Sequence, residues 1–183
     1  MIPEYKQEDH MPVFSKAEFE QRIEKTKQSM LAQDLEVILL ADPANMNYLT
    51  GYDGWSFYTP QVVVLVLDQP QPLWIGRGMD ANGARHTVWM DEDNIISYPD
   101  NLVQVADNHP LRFVGQCLKE RGWSAKRIGV EKDAYYFNVR WLEELQISLP
   151  ETRFEDCSLL VNWVRSIKSE QEISYMQQAG QIA

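Results

Sequence analysis

The run Val62-Val63-Val64-Leu65-Val66-Leu67 limits what this chain can fold into more than any other stretch. Six consecutive apolar residues, mostly β-branched, are too few for a buried helix, and they suit the pleated geometry of a strand. Such a strand lacks a polar face and reads as the centre of a sheet. Leu35-Glu36-Val37-Ile38-Leu39-Leu40 reads the same way, a short buried strand. After Leu67, Asp68-Gln69-Pro70-Gln71-Pro72 makes a turn, and Leu73-Trp74-Ile75 supplies a hairpin partner.

Helices are predicted between these strands. Ser15-Lys16-Ala17-Glu18 is a capping-box pattern, and Phe19, Ile23, Met30 and Leu31 follow at helical spacing, giving a helix over 15–33. Asp42 caps a short helix with Pro43 at its first position, ending before Gly51. Gly76 and Gly78 open a polar helical segment over 79–86. A strand at 95–98 stops at Pro99, and a helix over 109–121 ends at the glycine signal Arg121-Gly122. A strand over 127–131, a helix over 135–146, an extended piece over 152–154 and a helix from about Ser158 complete the reading. Strands alternating with helices, one hairpin included, define an α/β fold: a three-layer domain with a mixed β-sheet flanked by helices.

The formal charge of −10 argues against a nucleic-acid backbone or an anionic membrane as partner. The first residues, MIPEYKQEDHMPVF, contain no apolar signal region, and no stretch reaches membrane-spanning length. Cys117 and Cys157 have no neighbour at metal-ligand spacing, so the expectation is a cytoplasmic protein with reduced thiols. Ile173, Met176 and Ala179 share a helical face that is still unfinished at Ala183. A second domain is the expected partner for that face.

Catalytic patterns are absent. His10, His86 and His109 stand far apart, and surface or capping roles suit them better than catalysis. No zinc, nucleophile-elbow or phosphate-loop motif occurs. Asp91-Glu92-Asp93 reads as a solvated loop, because consecutive residues in a regular element cannot all face one ion. Gly76-Arg77-Gly78 with Asp80 to Arg85 has the look of a polar ligand loop, or of a structural turn. One unusual segment remains: Gly51-Tyr52-Asp53-Gly54-Trp55-Ser56-Phe57-Tyr58-Thr59-Pro60-Gln61 carries four rings where loops are ordinarily polar. Its rings either pack beneath the strand at 62–67 or wait for something to cover. In an extended segment, Trp55 and Phe57 would point one way and Tyr58 the other.

Three stretches together resemble the creatinase/prolidase family: Ala44-Asn45-Met46-Asn47-Tyr48-Leu49-Thr50-Gly51, then Ile128-Gly129-Val130-Glu131, and the closing Leu160-Val161 with Arg165, Ile167-Lys168-Ser169, Glu172-Ile173 and Met176. The likeness spans essentially the whole chain and corresponds to that family's N-terminal, non-catalytic domain, of ribonuclease H-like fold. It implies residues 1–165 as this domain and 166–183 as the start of a linker helix into a pita-bread catalytic domain. The full-length protein is then a hydrolase acting on C–N bonds, with no catalytic residue and no metal in this part. If it is a peptidase, a divalent metal pair belongs to the catalytic domain.

The resemblance further implies a homodimer in which this domain leans over the partner subunit's active site. In the creatinase branch the loop matching Ser56 to Pro60 gives a phenylalanine and an arginine to the substrate. Here Phe57 matches the first, and Thr59 stands in the arginine position. A hydroxyl is a poor substitute for a guanidinium fork on a carboxylate, which disfavours creatine. The loop and the later GRGMDANGARHTVWMD are closer to the branch that opens ectoine, a small zwitterion with a delocalised cationic ring. Phe57, Trp55, Tyr58, Thr59 and Asp53 are the expected substrate-capping residues, the rings attracting a cation and Asp53 adding a counter-charge. The alternatives are the N-terminal domain of an Xaa-Pro dipeptidase or aminopeptidase, and a non-catalytic module that binds basic proteins.

Overall fold

The computed structural model describes residues 13–182. His10 and the apolar-poor first twelve residues lie outside them. Six strands form one sheet in the order β4-β3-β2-β1-β5-β6, with β1 Val37–Leu40, β2 Val62–Val66, β3 Leu73–Arg77, β4 Ile95–Tyr98, β5 Ile128–Val130 and β6 Phe154–Asp156. Only β2 runs against the rest: it pairs antiparallel with β1 and β3, whereas β1–β5, β3–β4 and β5–β6 are parallel. The sheet is therefore mixed, and the expected β2–β3 hairpin is present.

Helices cover both faces, and strand periodicity sorts the core between them. Val37, Leu39, Val62, Val64 and Val66 face α4 (Pro110–Glu120) and α5 (Val139–Ser148). The alternate residues Ile38, Leu40, Val63, Leu65 and Trp74 meet α1 (Lys16–Ala32), α2 (Pro43–Thr50), α3 (Gly78–Thr87) and α6 (Leu160–Ser166). All five residues of β2 are buried, as a strand without a polar face requires.

Local signals place most boundaries. Ser15 accepts the Glu18 N–H, and Asp42 accepts those of Ala44 and Asn45 at 2.9 and 3.0 Å. Gly122 follows α4 in the left-handed region, φ 73°. Two expectations are corrected. The helix expected over 135–146 begins at Val139, because Asn138 accepts the Trp141 N–H at 3.1 Å and caps it there. The piece expected over 152–154 pairs at 154–156, since Thr152 is held in a turn by its bond to the Leu149 carbonyl.

The closing segment is two helices, α6 and α7 (Glu170–Ile182). Ser169 and Glu172 form a reciprocal capping box: the Ser169 hydroxyl accepts the Glu172 N–H at 3.2 Å, and the Glu172 carboxylate accepts the Ser169 N–H at 2.8 Å. Glu172 also accepts from Arg22 of α1 at 3.1 Å. Arg22, 2% exposed, donates as well to Glu18 and the Tyr48 carbonyl, and it fastens the start of α7 to the domain.

Candidate functional site

The aromatic loop starts where α2 stops. Gly51 takes φ 79° and donates its N–H to the Asn47 carbonyl at 2.8 Å, a left-handed cap that glycine adopts without strain. Tyr52 turns inward against Trp74, ring centroids 5.2 Å apart. Burial pushes its hydroxyl up to about 12, with Asp80 adding to the effect and the Gln61 amide opposing it. At the far end Thr59 and Gln61 both donate to Asp80, at 3.2 and 2.8 Å, and the Ser56 hydroxyl accepts the Thr59 N–H at 3.0 Å.

With both ends held, the three central rings face outward. Trp55 is 60% exposed, Phe57 73% and Tyr58 58%. The loop bends at 57–59 instead of running extended, so Tyr58 shares the outer side with the others. Asp53 is exposed beside them. Thr59 parts from this group: it is 4% exposed, and its hydroxyl is engaged by Asp80 and Ser56. These bonds help to shape the loop.

Two rings that sequence reasoning missed stand opposite. Tyr135 and Tyr136, in the turn after β5, are T-shaped to each other at 5.4 Å, and Tyr136 meets Trp55 at 6.2 Å. Tyr135 is 83% exposed. A helix assignment over 135–146 hid them. The signal was available in Asn138, a capping residue that closes off the turn before it. Between loop and turn lies a cavity of about 270 Å³, reached by Phe57, Tyr58, Gln61, Tyr135, Tyr136 and Trp141.

Beneath this surface the three stretches that carry the family likeness meet in one polar network. Glu131, 2% exposed at the end of β5, accepts the N–H groups of Ala41 and Asp42 at 2.6 and 2.8 Å and the Asn45 amide at 2.6 Å. Asn45 also bonds Asn162 at 2.8 Å and accepts from Arg165 at 2.9 Å. Burial pushes the Glu131 carboxyl above its ordinary range, while these hydrogen bonds pull the other way. The network joins β1, α2, β5 and α6 and positions them against one another.

The other acidic and basic candidates are tied to structure. Arg77 forms a fork on Asp100 at 2.7 and 2.9 Å, and Glu92 of the acidic run pairs with Arg85 at 3.1 Å. His109 caps α4 through Nδ1, and His86 lies exposed on α3. Among the described residues no group of three or more His, Cys, Asp or Glu side chains could hold a metal ion. Among them too, no helix is long and apolar enough to cross a membrane.

A three-layer domain with this sheet is the fold of Xaa-Pro dipeptidase N-terminal regions. The Bacillus anthracis Xaa-Pro dipeptidase superimposes with a TM-score of 0.70 over 90% of this chain and 40% of its own, and its 20% identity speaks for the fold alone. The creatinase/prolidase N-terminal domain model matches residues 22–167, and the chain belongs to that family. It is 48% identical to the ectoine hydrolase of Halomonas elongata over 92% of this chain and 42% of that protein. It is 49% identical to an uncharacterized hydrolase/peptidase, y4tM, of Sinorhizobium fredii, over 92% and 43%. The chain thus spans less than half the length of the curated relatives it matches.

Proposed function

We propose that this domain is the non-catalytic N-terminal part of a C–N hydrolase of the ectoine-opening type, and that its aromatic loop caps the active site of a second subunit in a homodimer. Residues 1–165 are then the accessory unit, and 166–183 start the connection to the catalytic domain. The observation that carries the reading is the exposure of Trp55, Phe57 and Tyr58 on a loop whose two ends are fixed by part-buried hydrogen bonds. Rings held out in water at that cost suit a partner surface, and their faces attract a delocalised cation once water is excluded. The 48% identity to an ectoine hydrolase supports the substrate class.

Full-length protein is expected to hydrolyse ectoine, and this chain alone is not. Phe57→Ala in the full-length protein should lower kcat/KM by roughly tenfold or more, about 1.4 kcal/mol of transition-state stabilisation, with an unchanged melting temperature. Cleavage of Xaa-Pro dipeptides with no turnover of ectoine would overturn the substrate and leave the family in place. Unaltered kinetics in Phe57→Ala would remove the capping role.

A further inference from the structure

The polar stretch Asp80 to Arg85, which has the look of a ligand loop in the sequence, lies on α3, and both feet of the aromatic loop rest on that helix. At the near foot the Thr87 hydroxyl accepts the Asp53 N–H at 3.3 Å. At the far foot one oxygen of Asp80, Oδ2, accepts from the Thr59 hydroxyl at 3.2 Å and from the Gln61 amide at 2.8 Å. Among the described residues the Asp80 side chain bonds nothing else. The carboxylate stands in the first turn of α3, where the helix dipole favours negative charge. Bonds to such a charge are about twice as strong as neutral ones.

α3 is itself firmly seated. Ala81 and Ala84 are fully buried in the core. Trp89, just past its end, donates its N–H to the Thr50 carbonyl at 3.2 Å and its indole N–H to the Leu49 carbonyl at 3.0 Å, which ties the end of α3 to the end of α2. A helix rises about 1.5 Å per residue, so Asp80 and Thr87 stand roughly 10 Å apart and cannot spread. The loop from Asp53 to Thr59, drawn straight, would span about 20 Å. Held to half that, it has to arch, and the arch carries Trp55, Phe57 and Tyr58 out into solvent. Tyr98 of β4 fixes the exit from the inner side, its hydroxyl donating to the Pro60 carbonyl at 2.6 Å.

We propose that α3 is the splint of the aromatic loop and that Asp80 is a positioning residue, which sets how the rings are presented to the second subunit. It touches no substrate and acts through Phe57. This rests on the capping role given above and names the group that makes the cap rigid. A loop released from α3 no longer fixes its rings over the pocket, and a displacement of about 1 Å can lower a rate by as much as about a hundredfold. The loss is bounded here by what Phe57 contributes.

Two measurements test it. In full-length protein, Asp80→Ala should lower kcat/KM for ectoine about tenfold. The double variant Asp80→Ala/Phe57→Ala should fall within about twofold of Phe57→Ala alone, because one residue acts through the other. Asp80→Asn, which keeps an acceptor oxygen, should recover most of the activity. Losses that multiply to about a hundredfold, or unaltered kinetics in Asp80→Ala beside a damaged Phe57→Ala, would overturn the proposal and leave the capping role standing. On this chain, chymotrypsin cleavage after Phe57 and Tyr58 should quicken about tenfold in Asp80→Ala, while cleavage after Tyr135, 83% exposed in the turn after β5, keeps its rate. Equal quickening at both places is general destabilisation, and no quickening means that the loop is held without Asp80; either result overturns the proposal. Should Phe57→Ala keep full activity, the capping role falls, and the cleavage rates still decide whether Asp80 holds the loop. Where Asp80→Ala does not fold, Thr59→Val, which removes one donor and keeps the side-chain shape, takes its place: about threefold faster cleavage is expected, and an unchanged rate overturns the proposal.

Discussion

Glu131→Ala takes one acceptor away from three donors at once. The Ala41 and Asp42 N–H groups, at 2.6 and 2.8 Å, lose this acceptor, and the Asn45 amide, at 2.6 Å, keeps only its second one, Asn162 at 2.8 Å. Each buried donor left without a partner costs about 1–3 kcal/mol. The full sum overshoots, because removing the carboxylate also removes its own burial penalty and because water can enter beside Asp42, which is part-buried. The expected loss is about 3–5 kcal/mol, the range for breaking a buried charged network from one side. Against a total stability of about 5–15 kcal/mol this is a large fraction. Glu131→Gln keeps the side-chain volume and one acceptor but turns an amide N–H₂ toward the Asn45 amide, and it should cost about 1–2 kcal/mol. Urea unfolding followed by tryptophan fluorescence measures both, with the slope m unchanged if the native state keeps its compactness. A Glu131→Ala variant within about 0.5 kcal/mol of the parent, the range of ordinary surface changes, would refute the idea that this carboxylate fastens β1, α2 and β5 together.

Three further outcomes follow from the geometry. Burial lowers the His109 pKa below its usual 6.5, with Arg140 and Arg112 adding to the effect and Glu144 opposing it, and the Nδ1 that caps α4 at 3.1 Å must be unprotonated. Its contribution is therefore fully present above about pH 6.5 and is lost as pH falls through the depressed folded value, a loss of about 1 kcal/mol; His109→Asn, which keeps a capping oxygen, should remove that pH dependence from the urea midpoint. Gly115→Ala places a Cβ 2.0 Å from Ser148 Oγ and 2.8 Å from its Cβ where α4 meets α5, so despite alanine's better helix propensity it should destabilise by about 1–3 kcal/mol, and a stabilised variant would contradict the close approach. Cys117 and Cys157 are buried with thiol pKa values raised by burial, so a thiol reagent should label neither until denaturant is added.

Much of the fold could be read along the chain because its determinants are local. A cap acts across three or four residues, so Ser15 with Glu18, Asp42 with Pro43 and Gly51, and Arg121 with Gly122 announce helix ends without help from the rest of the molecule. Alternation within Val37–Leu40 and Val62–Val66 sorts side chains between two faces before any partner strand is known. The start of α5 was misread because Ala134 to Phe137 is apolar enough to imitate a helix, and the cap at Asn138 outweighs that pattern. Tyr135 and Tyr136 disappeared from the candidate surface for the same reason.

The amino-acid sequence by itself determined the strands, the helix caps, the aromatic content of the loop and the family likeness. Tertiary structure alone decided which rings face water, that Thr59 turns inward to Asp80, and that Glu131 joins Asn45 and, through it, Arg165. Those partners stand 21, 86 and 120 residues apart along the chain. No periodicity or turn signal encodes a pairing at such a distance; it exists only once the sheet has brought the ends of β1, β5 and α6 to one edge.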